Sequence, residues 1–405
     1  MSDINRCSRK RLIICCDGTW QDSTADSSGP ASNVTRFSRA LSANAIVERN
    51  GQKDEIPQIV YYQKGVGTGL GDKYWGGVAG LGLSANVRAA YGFLVDNYNE
   101  GDKIYFFGFS RGAYTARAVA GLVCQWGLLT RRGMDNFPTV YKDFYQTKAD
   151  DYTPEQRRSL GFRDPLPRFT VEIIGVWDTV AFHQTWLGGW VGEQLEFRNT
   201  MLSENVRYAF HALALDEERT AYQPTLWNLP KKSEGQELLQ VWFSGVHTDV
   251  GGGGEDPRLA NITLAWMIAQ CMKDEQLSFD IEGYLFNLPP GPMVHEIEPW
   301  GTRLGKTETW GFTRSLEGVL GGVSARTPLA YQPIDSGITH ETIHKSIDDR
   351  NLAGAGKWAC SALRARKDAD SWFLTDGGVI LETPLLEMEE YMKGRIRTVH
   401  VDQQD

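Results

Sequence analysis

Residues 108–112, Gly-Phe-Ser-Arg-Gly, contain the side chain of this sequence best suited to nucleophilic chemistry, Ser110. An apolar run at 104–107 precedes them, and an Ala-rich helical stretch follows. A G-x-S-x-G between a strand and a helix predicts a nucleophile elbow, which holds the serine on a tight turn above a sheet. Glycines flank such a serine because the strained turn leaves no room for a Cβ on its close neighbours. The pattern therefore predicts a serine hydrolase.

A serine hydroxyl becomes nucleophilic when a base takes its proton and an acid orients that base. After an elbow serine, acid and base follow later in the sequence, and we expect both just past the C-terminal ends of strands. Asp178 ends the apolar run 171–177 and is the predicted acid. Asp216 is the competing acid, which we predict at the end of a helix instead.

His247 is the predicted base, because it ends a predicted strand that reaches residue 246. Four glycines follow it at 251–254, as is typical of a loop that passes close to another segment. His183, five residues after Asp178 in a Trp-rich loop, is the alternative base. We predict His211 in the middle of a helix, with a structural role.

Backbone N–H groups should stabilise the oxyanion that forms when the serine attacks. The first predicted donor is the N–H of Arg111, the residue after the nucleophile. The second should come from a loop after another strand, and residues 17–20, Asp-Gly-Thr-Trp, follow the first predicted strand. We assign this second donor to the N–H of Gly18 and give Asp17 no chemical role.

Composition limits the kinds of partner. The chain has 405 residues, of which 41% are apolar and 23% charged, as is usual for a soluble globular protein. A net charge of −9 argues against nucleic acid and gives no electrostatic attraction to an anionic membrane. The six cysteines show no metal-binding or redox spacing, and we expect neither a cofactor nor a metal. With no signal-peptide core and no run of 18 apolar residues, a reduced, cytoplasmic location is predicted.

Short apolar runs alternate with helical patterns over the first 275 residues. This alternation predicts an α/β-hydrolase-like fold, with a mostly parallel central sheet, helices on both faces and inserted loops. We predict strands at 12–16, 58–62, 104–107, 171–177 and 238–246, and helices at 33–41, from a cap at Ser84, near 200–214 and near 260–272. We predict one elaborated domain over 10–360, with an insertion near 130–168, helical and loop elaboration at 276–360, and a C-terminal extension over 361–405.

Six blocks occur in the order known from one protein family: Asp-Gly-Thr-Trp at 17–20, Gly-Val-Gly-Thr at 65–68, Gly-Phe-Ser-Arg-Gly-Ala at 108–113, Val-Trp-Asp-Thr-Val at 176–180, His-Ala-Leu-Ala-Leu-Asp-Glu at 211–217 and Gly-Val-His-Thr-Asp-Val-Gly-Gly-Gly at 245–253. Together they resemble the catalytic domain of type VI secretion phospholipase effectors, which is also found in fungi. The resemblance spans about 10–275, with a weaker echo at 340–350. It implies a triad of Ser110, Asp178 and His247, the residues already chosen from their positions, and cleavage of phospholipid acyl esters. We expect the long C-terminal membrane-engaging region of the bacterial effectors to be missing.

Two other functions remain open. A binding or regulatory protein could have kept the fold without the chemistry. Residues 340–344, His-Glu-Thr-Ile-His, also match the H-E-x-x-H motif of zinc hydrolases, which needs His340 and His344 on one helical face. A zinc site would need a third ligand, and Ile347 stands where the extended motif has glycine. The stretch could instead be a surface helix.

For the esterase, we expect a small-molecule or lipid ester as substrate, with transient contact to a membrane surface. Residues 186–190, Trp-Leu-Gly-Gly-Trp, could form a lid that meets acyl chains or could pack in the core. The glycine-rich stretch 65–82 lacks the pattern of a nucleotide-binding loop, and we predict a flexible loop beside the site.

Overall fold

The computed structural model describes residues 9–18, 31–49, 51–65, 78–146, 151–180, 200–229, 233–254, 256–286, 325–331, 338–348, 360, 362–393 and 395–396. The predicted lid, the alternative base His183 and most of the glycine-rich stretch lie outside these ranges. So does Thr19, within the predicted oxyanion loop.

The described chain forms a mixed α/β fold around one sheet of eleven strands. In chain order these are β1 (Arg11–Cys16), β2 (Asn44–Arg49), β3 (Gln52–Gln63), β4 (Lys103–Phe109), β5 (Val171–Trp177), β6 (Val206–Ala214), β7 (Glu237–Phe243), β8 (Glu341–His344), β9 (Leu363–Asp368), β10 (Ser371–Leu374) and β11 (Val379–Thr383). Their order across the sheet is β2-β3-β1-β4-β5-β6-β7-β8-β11-β10-β9. From β3 to β11 every neighbouring pair is parallel, whereas β2 and the β11-β10-β9 edge pair antiparallel.

Helices cover both faces of this sheet. They are α1 (Asn33–Ala40), α2 (Val78–Asn97), α3 (Ser110–Trp126), α4 (Phe137–Gln146), α5 (Pro154–Leu160), α6 (His247–Gly251), α7 (Arg258–Met272) and α8 (Glu387–Met392). Leu12 and Ile14 of β1 join the apolar core that contains α2, α3 and α4 residues, while Ile13 and Cys15 join the core formed with α1, α7 and α8. This arrangement confirms the predicted mostly parallel sheet with helices, and the narrower α/β-hydrolase assignment stays a prediction.

Several predicted elements have the wrong type or the wrong bounds. The segment near 200–214 is not a helix, because residues 206–214 form β6, a central strand. A strand buried on both faces is apolar almost throughout, so its periodicity does not distinguish it from a buried helix. Helix α2 begins at Val78, which places Ser84 inside the helix and not at its cap.

Strands β8 to β11 lie in segments for which no strand was predicted. Residues 341–344 of the H-E-x-x-H segment form β8, which pairs in parallel with β7, and not a helix. Strands β9, β10 and β11, from the predicted C-terminal extension, continue the same sheet beyond β8. The division into a domain over 10–360 and an extension stays a prediction.

None of the described helices combines the length and the apolar character that crossing a bilayer requires.

Candidate active site

The strand β4 runs directly into helix α3 at Ser110, the first residue of that helix. Ser110 has a φ of 55°, a left-handed conformation that non-glycine residues seldom adopt and that costs about 1–2 kcal/mol. A Cβ at Gly112 would overlap the carbonyl oxygens of Cys16 and Asp17, because the first turn of α3 lies against the end of β1. The backbone of 108–112 is therefore the strained, closely packed turn that the motif predicts.

Asp178 and His247 meet at the C-terminal edge of the sheet. Asp178 directly follows β5 with a φ of 40°, and His247 opens α6 four residues after β7. The imidazole Nδ1 lies 2.6 Å from Asp178 Oδ2, a short, charge-assisted hydrogen bond in which Nδ1–H donates. Both side chains are buried, so this bond is shielded from water.

Ser110 lies at the same edge as this pair. Strand β4 pairs with β5 in a register that places Phe109 opposite Trp177. Ser110 follows Phe109 and Asp178 follows Trp177, so both residues lie directly after the ends of neighbouring strands. The Phe109 ring lies 4.6 Å from the His247 ring, centroid to centroid. A Cβ at Gly251 would overlap the same Phe109 ring, so α6 packs directly on the elbow strand. The fold thus brings the ends of β4, β5 and β7 together.

The electrostatics of the pair favour an ionised acid and a neutral base. Burial alone would raise the pKa of Asp178, but the positive charge of Arg326 and the hydrogen bond from His247 hold it well below its usual range. Burial lowers the pKa of His247, and the Asp178 carboxylate offsets part of that effect. At neutral pH the imidazole of His247 is thus uncharged, with its one hydrogen on Nδ1 and none on Nε2.

Arg326, which the sequence analysis did not single out, contacts the same carboxylate. Its guanidinium lies 2.6 Å from Asp178 Oδ1 and 3.0 Å from Oδ2. The two residues are 148 positions apart, and no motif around Arg326 indicates a role. Arg326 lies in the segment predicted as helical and loop elaboration, a prediction that singles out no residue there.

Asp216 and His211 do not lie in a helix, contrary to the prediction. Asp216 follows β6, so it too stands past a strand end, but its Oδ2 accepts a 2.7 Å hydrogen bond from Gly245 N–H. His211 lies within β6, fully buried. Its Nε2 accepts a hydrogen bond from the N–H of Thr179, one residue after Asp178, at 3.1 Å. His211 therefore holds the segment that carries the acid.

The predicted oxyanion donors lie on either side of the elbow. The N–H of Arg111 is in the first turn of α3, where N–H groups point out of the helix end. Gly18 lies against the Phe109 ring, and its N–H donates to Asp17 Oδ1 at 2.7 Å. Asp17 Oδ2 accepts hydrogen bonds from three hydroxyl groups, those of Ser32, Thr35 and Tyr62. Asp17, given no role from sequence, therefore fixes the loop after β1.

The zinc alternative loses its helical premise. Residues 341–344 form β8, and His340, with a φ of 50°, precedes the strand, so the two histidines do not share one face of a helix. His344 is buried, with Nε2 2.8 Å from Glu389 Oε1 and Nδ1 2.8 Å from Ser346 Oγ. Among the described residues, no group of three or more His, Cys, Asp or Glu side chains could hold a metal.

Comparisons with known proteins match most of the chain to one family. The family described as "T6SS, Phospholipase effector Tle1-like, catalytic domain" matches residues 10–270, which include Ser110, Asp178 and His247. The uncharacterized protein YEL023C of Saccharomyces cerevisiae is 28% identical over 239 residues, 53% of this chain and 32% of the yeast protein. A crystal structure of an uncharacterized protein from Pseudomonas aeruginosa aligns with 69% of this chain and 47% of that chain, at 18% identity and a TM-score of 0.38. The chain thus spans about a third of the yeast protein and about half of the Pseudomonas protein.

Proposed function

Because this chain belongs to the family of Tle1-like catalytic domains of type VI secretion phospholipase effectors, we propose that it is a serine esterase that cleaves acyl esters of lipids. The observation that carries the proposal is the 2.6 Å hydrogen bond between His247 Nδ1 and Asp178 Oδ2, beside a strained elbow at Ser110. Family membership supports a hydrolase that acts on phospholipids, and the site residues supply a chemistry for it.

In the proposed mechanism Ser110 Oγ attacks the ester carbonyl while His247 Nε2 accepts its proton. The imidazolium that forms is stabilised by the buried Asp178 carboxylate, which also fixes the tautomer with the proton on Nδ1. His247 then gives the proton to the leaving alcohol, which leaves an acyl group on Ser110. Water attacks the acyl-enzyme with His247 again as base, releasing the fatty acid and restoring the serine.

Oxyanion stabilisation is assigned to backbone N–H groups. We propose that the Arg111 N–H is the first donor, since its place at the start of α3 directs it out of the helix end. The Gly18 N–H already donates to Asp17. It serves as the second donor by sharing its hydrogen between that carboxylate and the oxyanion.

The proposed substrate follows from the ester chemistry proposed for the site and from the phospholipase family to which the chain belongs. A phospholipid or a related lipid ester fits, and reaching it would require transient contact with a lipid surface. The net charge of −9 favours zwitterionic over anionic surfaces. We propose a cytoplasmic location and no requirement for a metal or an organic cofactor.

A fluorophosphonate probe tests the proposal, because it reacts with a serine only when a base activates it. The native protein should label at Ser110, and Ser110→Ala should abolish labelling. Hydrolysis of a panel of phospholipids, lysolipids and short esters should fall by several orders of magnitude in that variant, leaving about 10³–10⁴-fold over water.

Ser346→Ala is the matched control for this experiment. Ser346 also hydrogen-bonds a histidine that contacts a carboxylate, but it is 2% exposed, so a probe cannot reach it. The control should label and hydrolyse like the native protein. A native protein that stays unlabelled would favour a binding protein on the same fold, whereas an active Ser110→Ala variant would show that Ser110 is not the nucleophile.

A further inference from the structure

Arg326 pairs with both oxygens of the Asp178 carboxylate. It is 1% exposed, and its two terminal nitrogens face the two oxygens of Asp178 at 2.6 and 3.0 Å. This two-pronged geometry is the strongest arrangement available to a guanidinium and a carboxylate, and it fixes the carboxylate plane. The plane of the acid determines where the Nδ1–H of His247 must point.

The same guanidinium also joins the segments around the imidazole. Nη1 donates to the carbonyl oxygen of Ala214, the last residue of β6, at 2.8 Å, and Nη2 donates to the carbonyl oxygen of Tyr222. The Tyr222 ring lies 4.8 Å from the His247 ring. Arg326 therefore links the end of β5, the end of β6 and the turn that packs on the base.

The positive charge of Arg326 balances the negative charge of the buried Asp178 carboxylate. Asp178 has no exposed surface, and an ionised carboxylate in such a place needs a counter-charge. His247 can provide one only by taking up a proton, which would remove it as a base. Arg326 provides the counter-charge permanently, so the carboxylate stays ionised without a proton on the imidazole.

We propose that Arg326 is a positioning residue of the reaction, which keeps Asp178 ionised and aligned and keeps His247 available as a neutral base. The inference rests on the proposed function for its catalytic meaning. It adds to that function a residue outside the stretch 10–270 that matches the family.

Other charged and titratable groups near the imidazole do not supply this balance. In the described part of the chain they are Glu217, Arg219, Tyr222 and, on α6 itself, Asp249. Glu217 Oε2 accepts the backbone N–H of His247, but the carboxylate is paired with Arg219 at 2.8 Å, so the two charges largely offset each other. Asp249 accepts the N–H of Val246.

Two substitutions separate the charge of Arg326 from its geometry. Arg326→Met removes the positive charge. Arg326→Lys keeps the charge but cannot form both parallel hydrogen bonds to the Asp178 carboxylate. The ¹⁵N imidazole resonances of His247, assigned with His247→Gln, report its pKa directly, and kcat/KM for a short ester is measured from pH 5 to 9. Arg207→Met, which removes an arginine paired with Glu172 at the opposite end of β6, is the matched control.

In Arg326→Met the pKa of His247 should rise by about one unit or more, because the proton then balances the buried carboxylate. The acid limb of the rate profile should move up by the same amount, with activity recovering at alkaline pH. Arg326→Lys should leave the pKa within about half a unit of the native value and lower kcat at every pH. Arg207→Met should change neither property.

A purely structural arginine would give a different result. It would lower activity equally at all pH values in both variants, with no movement of the His247 titration, and this outcome would overturn the proposal. If circular dichroism shows that Arg326→Met does not fold, Arg326→Lys provides the test. A rise of the His247 pKa by a unit or more in that variant, or an unchanged kcat, would refute the positioning role of Arg326. The titration of His247 needs no turnover. A protein that neither labels nor hydrolyses esters would therefore refute the esterase, while the titration would still test the effect of Arg326 on His247.

Discussion

At the scale of single residues, His247 is suited to act as a general base near neutral pH. Its imidazole is buried between Phe109 and Tyr222, and burial lowers its pKa by disfavouring the charged form. A histidine must be unprotonated to accept the serine proton, so a lowered pKa keeps the base competent in mildly acidic solution. The hydrogen bond to Asp178 limits this effect without reversing it.

This environment predicts the pH dependence of the reaction. Activity should rise with pH as His247 loses its proton, with the midpoint of the acid limb of kcat/KM below 6.5, the usual histidine pKa. The measurement is kcat/KM for a water-soluble ester between pH 4.5 and 8. Asp178→Asn should reduce kcat on the order of 10⁴-fold, because the wrong tautomer is then favoured. A native midpoint above 6.5 would contradict the assignment of His247.

The sequence was sufficient to propose the three candidate site residues but not their electrostatic partners. Ser110, Asp178 and His247 each follow an apolar run, and strand ends in a parallel sheet converge at one edge. Arg326 lies in a stretch without periodicity, far along the chain from Asp178, so only tertiary structure could join the two. The role of Asp17 was missed for the same reason, since its hydroxyl partners come from Ser32, which caps α1, from α1 itself and from β3.

At the scale of elements, the elbow depends on how closely α3 approaches β1. The two are separated by so little space that a single added carbon at Gly112 would overlap two backbone carbonyl oxygens. Backbone atoms cannot rotate away as a side chain can, so α3 would have to shift relative to β1. Such a shift would move Ser110, the residue at the junction.

Gly112→Ala should therefore destabilise the protein by about 1–3 kcal/mol and strongly reduce fluorophosphonate labelling of Ser110. Gly92→Ala on α2 is the control, because its new Cβ would lie 3.6 Å from Met134 Cε, an ordinary contact. There the helix should gain about 0.5–1 kcal/mol from the better helix former. Urea unfolding and labelling measure both effects, and a Gly112→Ala variant that labels normally would show that the elbow tolerates a wider approach.

Element types were predictable where strand and helix patterns differ. β1, β5 and α7 occur close to their predicted bounds. Short apolar runs rich in β-branched residues are typical of strands, whereas a long apolar segment is typical of a buried helix. β6 was mistaken for a helix since its three alanines and its one leucine suit either structure, and its place between β5 and β7 in the sheet stabilises the strand. β8 is only four residues long, and its pairing with β7 is invisible in the sequence.

Because His211 is buried within β6, its protonation should affect the stability of the protein measurably. Burial and the positive charge of Arg117 lower its pKa to about 3, compared with about 6.5 in the unfolded chain. Between these values the unfolded state binds a proton that the folded state does not, so stability falls as the pH decreases below 6.5. From pH 7 to pH 5 this one group should cost about 2 kcal/mol.

Chemical denaturation at pH 7 and pH 5 measures this cost, with His211→Gln for comparison. The native protein should lose about 2 kcal/mol more than the variant between the two pH values. The comparison of differences cancels any constant destabilisation by the substitution. Equal losses would mean that His211 takes up a proton in the folded protein.

At the scale of the molecule, the sheet and the site both extend past the stretch that matches the family. Strand β8 covers the open edge of β7, and Trp242 Nε1–H donates to Glu341 Oε2 at 2.9 Å. Trp242 has no exposed surface and shares an apolar cluster with Ile343 and Trp372. The C-terminal strands thus complete a core that begins in the middle of the chain.

Ending the chain after Gln276 should accordingly abolish the site and not merely shorten the protein. It would remove β8–β11, expose Trp242 and β7, and take Arg326 from the buried Asp178 carboxylate, each of which disfavours the folded state. We expect loss of near-UV circular dichroism and no fluorophosphonate labelling. A chain ended after Ile396, which keeps every described element, is the control and should label like the native protein. If the shorter chain still labels at Ser110, residues 10–276 must fold and assemble the site by themselves, without the counter-charge from Arg326.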